Sequence, residues 1–203
     1  MNFRSFKEKV KKYPLFGSDL LDMLSSSPQA LRNQINRWKK MGLITNLKRG
    51  LYALALAERS TGLSKYFLAN NLYPPSYISL ESALSYYKLI PEKVISLTSV
   101  TPRKTKTFKN EFGVFSYKKL KTNLIFGFHE ETDEFGFKFM IADPEKSLLD
   151  YLYLNLGAVK ENSKDYFKAS LRLQNRGQLD KNKIRRYARH FGISKLNRLV
   201  ESL

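Results

Sequence analysis

Gln29, Arg32, Asn33, Asn36, Arg37 and Lys40 recur at three- and four-residue intervals within a stretch short enough to be one helix. That spacing brings side chains onto a common helical face. Their donors and acceptors are those that read base edges in a DNA major groove, Arg pairing with guanine and Asn or Gln with adenine. On the other side of the same helix, Leu31, Ile35 and Trp38 form a narrow apolar stripe that needs a core to cover it. A few residues on, Lys48-Arg49-Gly50 makes a basic turn suited to phosphate oxygens, contacts that give affinity and little sequence information. Taken alone, the polar face also suits an ordinary solvated helix, so the flanking elements must decide.

Those elements form a recognisable series. Phe3, Phe6 and Val10 stand at helical spacing, and Pro14 closes the segment. Ser18 stands where an N-cap would, ahead of a short second helix carrying Leu20, Leu21 and Leu24. Ser25-Ser26-Ser27 breaks that helix, and Pro28 opens a third, which runs to Met41 and ends at Gly42. Leu43–Leu47 reads as a strand and Leu51–Leu54 as its return after the basic turn. Three helices followed by a basic-tipped hairpin predict a winged helix-turn-helix over residues 1–60, with the third helix in the major groove and Lys48 and Arg49 on the backbone.

Residues 61–203 are expected to form a second, mixed domain, giving an α+β protein: a winged helix-turn-helix, then a mixed α/β domain with a helical C-terminal end. Residues 57–75 read as a connection ending at Pro74-Pro75. A helix is expected over Ser76–Tyr87, and strands over Val94–Val100, Phe112–Tyr117, Leu124–Phe128 and Phe137–Ala142. Glu130, Glu131, Asp133 and Glu134 are placed in the turn between the last two strands, as a solvated hairpin tip rather than a metal site. Asp143 is expected to cap a helix with Pro144 at its first position. Three further helices are expected over Ser163–Asn175, Asp180–Phe191 and Ser194–Leu203. Lys183, Arg185, Arg186 and Arg189, on the solvent side of the second of these, and Arg103 and Lys104, after the first strand, are candidates for a second basic contact with nucleic acid.

The chain of 203 residues carries a net charge of +18, which favours polyanionic partners. Residues 1–60 hold 12 basic and 4 acidic side chains, residues 61–159 hold 12 and 10, and residues 160–203 hold 12 and 4, so the ends are basic and the middle is nearly balanced. There is no cysteine, which rules out disulfides, thiolate zinc sites and Cys nucleophiles. No apolar run reaches the roughly 18 residues of a membrane span, and the N-terminus does not resemble a signal peptide; a cytoplasmic location with no membrane partner is expected. His129 and His190 lie far apart, and no phosphate-cradling glycine loop or serine-hydrolase elbow occurs. The chain is therefore expected to be no enzyme and to need no cofactor. An RNA-binding or nucleic-acid-processing protein is the alternative class.

Three segments carry a family likeness: Pro75-Ser76-Tyr77-Ile78-Ser79-Leu80-Glu81-Ser82-Ala83-Leu84, Leu97-Thr98-Ser99-Val100-Thr101-Pro102-Arg103-Lys104-Thr105, and Ala142-Asp143-Pro144-Glu145-Lys146-Ser147-Leu148-Leu149-Asp150. With the N-terminal half, the chain resembles the AbiEi-type antitoxins of type IV, abortive-infection toxin-antitoxin systems. Asp143 and Ser147 stand where that family's pattern has alanines. The resemblance implies a transcriptional autorepressor whose N-terminal domain binds inverted repeats in double-stranded DNA upstream of its own operon. It implies a C-terminal domain that serves antitoxicity against a nucleotidyltransferase-like toxin. A monomer or a weak dimer on DNA is expected, since no heptad seam enforces pairing.

Overall fold

The computed structural model describes residues 1–92, 94–158 and 171–201. The chain is α+β and divides into two compact units, Met1–Ser64 with Asn110–Phe112, and Lys65–Lys109 with Gly113–Leu203.

The first unit holds α1 (Phe3–Val10), β1 (Phe16–Gly17), α2 (Ser18–Leu24), α3 (Pro28–Lys40), β2 (Ile44–Lys48) and β3 (Leu51–Leu54). Asn2 caps α1, its Oδ1 accepting from the Ser5 amide at 2.9 Å. Ser18 is the first residue of α2 and Gly17 takes the cap position, a one-residue correction to the expected start. Its cause is β1, which pairs Phe16 with Tyr52 and Gly17 with Leu51 and so holds the chain extended up to Gly17. Phe6, Val10, Phe16, Leu21, Leu31, Ile35, Trp38, Ile44 and Leu54 are all buried in one cluster. Each large side chain there is worth on the order of 2 kcal/mol of hydrophobic transfer. Trp38 anchors α3, its ring 4.9 Å from Phe6 and 5.4 Å edge-on from Phe3.

The second unit is built on a six-stranded sheet. Its strands are β4 (Tyr77–Ile78), β5 (Ser96–Thr101), β6 (Lys106–Asn110), β7 (Gly113–Lys119), β8 (Phe128–Thr132) and β9 (Lys138–Ala142), in the order β6-β7-β5-β4-β9-β8. The pairs β5·β7 and β4·β9 are parallel, while β4·β5 and β8·β9 are antiparallel. Among the described residues its α-helices are α4 (Lys65–Leu72), α5 (Leu80–Tyr86), α6 (Pro144–Leu154), α7 (Lys181–Phe191) and α8 (Ser194–Glu201). Leu84, Leu148, Leu149, Leu152, Ile184, Ala188, Leu196 and Leu199 join α5, α6, α7 and α8 in the larger core.

Several expectations for this unit are corrected. Part of the segment read as a connection is α4, which packs Tyr66 on Phe139 and Phe67 on Phe137 at ring separations of 5.1 and 4.5 Å. The helix expected over Ser76–Tyr87 is a central strand followed by α5. Tyr77 and Ile78 are taken up by pairing with β5 and Ile78 with β9, and Leu80 breaks the backbone at φ +59°. The strand expected over Leu124–Phe128 begins only at Phe128, because Thr122–Leu124 turns as a short 3-10 helix. Glu130 and Glu131 lie within β8, paired with Met140 and Phe139, and the turn is confined to the residues around Asp133–Gly136. Of the helix expected over Ser163–Asn175, residues 163–170 lie outside the described residues. Leu171–Asn175 is not helical: Gln174 N–H donates to Leu89 O at 2.8 Å, and Asn175 has φ +48°. Lys106–Asn110, unassigned from sequence, is the edge strand β6.

Candidate nucleic-acid interface

Pro28 opens α3, and the buried Leu31, Ile35 and Trp38 fix which side of it meets the core. Gln29, Arg32, Asn33, Asn36, Arg37 and Lys40 are consequently all exposed on the other side. They are not equally available. Gln29 Nε2 donates to Asn33 Oδ1 at 3.3 Å, and Lys39 Nζ donates to Asn36 Oδ1 at 3.1 Å, both exposed bonds that water or a ligand can replace. Arg32 is more committed, since its Nη2 lies 2.9 and 3.2 Å from the two carboxylate oxygens of Asp22 on α2. Arg37 and Lys40 make no ion pair among the described residues. The face thus offers two cations and three amides, with a third cation tied to the preceding helix.

The hairpin follows α3 directly. Ile44 pairs with Leu54, Thr45 with Ala53, and Asn46 with Tyr52, after which a bulge shifts the register so that Lys48 pairs with Leu51. Arg49 and Gly50 make the turn, and Gly50 supplies the φ of +77° that such a tight reversal requires. The tip is stitched to the start of α2 by the Ser18 amide donating to Gly50 O at 3.3 Å. Arg49 is exposed and Lys48 half-buried.

The residues considered for a second basic contact fare differently. Lys183 sits 3.0 Å from Asp143 and 3.2 Å from Glu145, and Arg185 lies 3.2 Å from Glu201. Arg103 donates to Pro74 O at 2.9 Å and lays its guanidinium 4.3 Å from the centre of the Tyr73 ring. Lys104, Arg186 and Arg189 remain exposed and make no ion pair among the described residues.

Lys183 belongs to a network that sequence reasoning missed. Asp143 does precede α6 with Pro144 at the first position, yet its side chain does not cap the helix. It is engaged instead by His129 Nδ1 at 2.9 Å on one oxygen and by the Tyr187 hydroxyl, which donates at 2.9 Å to the other. Burial alone would raise its pKa, but the bonds from Lys183, Tyr187 and His129 prevail and hold it below its ordinary value. One turn inward, Lys146 and Asp150 are fully buried and paired, with Tyr77 accepting from Lys146 at 2.8 Å and Ser79 donating to Asp150 at 2.8 Å. Phe126 and Phe191 close over the ammonium at 4.8 and 5.0 Å. The sequence signal was present, since lysine and aspartate one helical turn apart on an otherwise apolar face must either find each other or break the helix from the core.

Among the described residues no cluster of His, Asp and Glu is arranged to hold a metal, and no helix is long and apolar enough to cross a membrane. Neither a protein-family model nor a curated protein matches the chain.

Proposed function

We propose that the chain is a cytoplasmic, sequence-specific DNA-binding repressor whose first unit is a winged helix-turn-helix. On this reading it acts as the autoregulating antitoxin of a type IV toxin-antitoxin system with a nucleotidyltransferase-like toxin. The observation that carries the DNA-binding part is the two-sidedness of α3. Leu31, Ile35 and Trp38 lock one side into the core, while Asn33, Asn36, Arg37 and Lys40 stand exposed on the other beside a hairpin tipped by Arg49. The antitoxin part rests on the sequence resemblance.

The mechanism is repression by occupancy. Exposed amides and Arg37 read a short half-site, and Lys48 and Arg49 meet phosphates. If about six phosphates are neutralised, affinity falls with roughly the fifth power of salt concentration.

Fluorescence anisotropy with the DNA upstream of the protein's own gene, against scrambled DNA, tests this. Tight and selective binding is expected, with selectivity lost in Asn33→Ala/Arg37→Ala. Lys48→Ala/Arg49→Ala is expected instead to weaken both DNAs alike and to reduce the salt slope by about 2. Equal binding of both DNAs by the wild type would overturn sequence-specific repression.

A further inference from the structure

The near-neutral middle of the chain is charge-segregated once folded. Residues 103–121 carry seven basic side chains, Arg103, Lys104, Lys106, Lys109, Lys118, Lys119 and Lys121, against the single acid Glu111. Four of the ten acids of residues 61–159, Glu130, Glu131, Asp133 and Glu134, lie instead in and after β8, where Lys138 pairs with Glu130. Because the sheet runs β6-β7-β5-β4-β9-β8, the two groups occupy opposite edges, ~24 Å apart at the usual strand spacing.

The basic residues converge through backbone geometry. Parallel pairing sets Val100 beside Lys118 and Thr101 beside Lys119, so β5 and β7 end at the same side. The loop leaving β5 folds back on that end: Leu120 N–H donates to Thr101 O at 2.9 Å and Lys119 N–H to Thr105 Oγ1 at 3.2 Å. Lys104 and Lys106, which flank Thr105, are thereby brought to the end of β7 that bears Lys118, Lys119 and Lys121. All six lysines are exposed and none makes an ion pair among the described residues.

Lysines on an edge strand commonly serve to block strand-to-strand aggregation. That accounts for Lys106 and Lys109 on β6, but not for the four lysines outside the edge strand. Gathering like charges carries a repulsive cost that a polyanion would relieve. We infer that the β6–β7 edge of the second unit is a sequence-indifferent binding surface for the phosphate backbone of duplex nucleic acid.

Two features select this partner. The cations are almost all lysines, point charges without the planar fork that reads guanine or a single carboxylate, and of them Lys106 lies over the Phe108 and Tyr73 rings at 5.0 and 5.6 Å. The one arginine is held by Pro74 O and the Tyr73 ring. Single strands would need open aromatic faces for their bases. Here Tyr73 and Tyr117 are only 9% and 0% exposed, and Phe108 packs against both at 5.7 Å. The inference does not depend on α3 reading any sequence.

The test uses the full-length chain, a duplex of scrambled sequence and a salt series, comparing wild type with Lys106→Gln/Lys109→Gln/Lys118→Gln/Lys119→Gln. The slope of log affinity against log salt is expected to become shallower by about 3 to 4, at about 0.9 per phosphate contact. The matching quadruple Arg variant should retain the wild-type slope, which separates charge from any effect on folding. An unchanged slope in the Gln variant overturns the inference, as does a larger loss on single-stranded RNA than on the duplex. If no DNA is preferred over another, the repressor reading fails while this comparison still decides the lysine edge.

Discussion

Lys146 and Asp150, one turn apart on α6, form an ion pair in which neither side chain is exposed to solvent. Burial pushes Lys146 down and Asp150 up from their ordinary pKa values, and their mutual attraction opposes both shifts. The pair also ties α6 to the centre of the sheet, because Tyr77 OH donates to Asp150 at 3.0 Å from β4.

Removing one member should therefore cost far more than removing both. Asp150→Ala leaves an ammonium among Tyr77, Phe126 and Phe191, and a loss of about 3 to 5 kcal/mol is expected in urea unfolding. Lys146→Met/Asp150→Leu should recover most of this but not all, since the Tyr77 and Ser79 hydroxyls lose their acceptor. An Asp150→Ala variant within about 1 kcal/mol of wild type would show that the pair holds nothing together.

Asp143 gives a dependence on pH with a definite sign. Its folded pKa is depressed despite burial, owing to Lys183, Tyr187 and His129. The stabilisation is thus present above the unfolded value of about 3.9 and is lost as pH falls through the lower folded value. Urea midpoints between about pH 5 and pH 3 should fall more steeply for wild type than for Asp143→Asn. Parallel curves for the two proteins would remove Asp143 from the acid response.

The clamp between Asp22 and Arg32 makes a prediction for binding rather than stability. Both side chains are about half exposed, so the pair is worth about 1 kcal/mol or less. Asp22→Ala removes a carboxylate that competes with phosphate for Arg32. Tighter binding to duplex DNA is expected, with thermal stability nearly unchanged; weaker binding would mean that the clamp orients Arg32 for its contact instead of withholding it.

The first unit was the more legible in sequence because its signals were local. The stripe of Leu31, Ile35 and Trp38, the proline before it and the basic turn each announce their element within a few residues. What escaped was long-range. Phe16 and Gly17 are extended only because Tyr52 and Leu51 pair with them, and Tyr77 and Ile78 form a strand only between partners distant in the chain. From sequence β6 goes unassigned and the part of β8 beyond Phe128 reads as a turn, because Lys106, Lys109, Glu130 and Thr132 stand exposed where apolar residues would otherwise mark the strands. The polar face of α3 was visible as a set, but the commitment of Arg32 to Asp22 was not, as no pattern predicts which of several exposed ions will meet.

The opposed edges of the large sheet have a kinetic corollary. Six lysines at one margin make no ion pair among the described residues, whereas at the far margin Lys138 pairs with Glu130 and Lys183 with Asp143. Positive charge is thus unevenly spread across the sheet, and the field of a polyanion exerts a torque on such a body before contact. Each diffusive approach is then partly rotated, with the β6 side turned inward and the β8 hairpin outward, so fewer encounters are spent in barren orientations. The bias weakens once the screening length drops below the width of the sheet, so added salt would first disorder the angle of approach and only then loosen the contacts themselves.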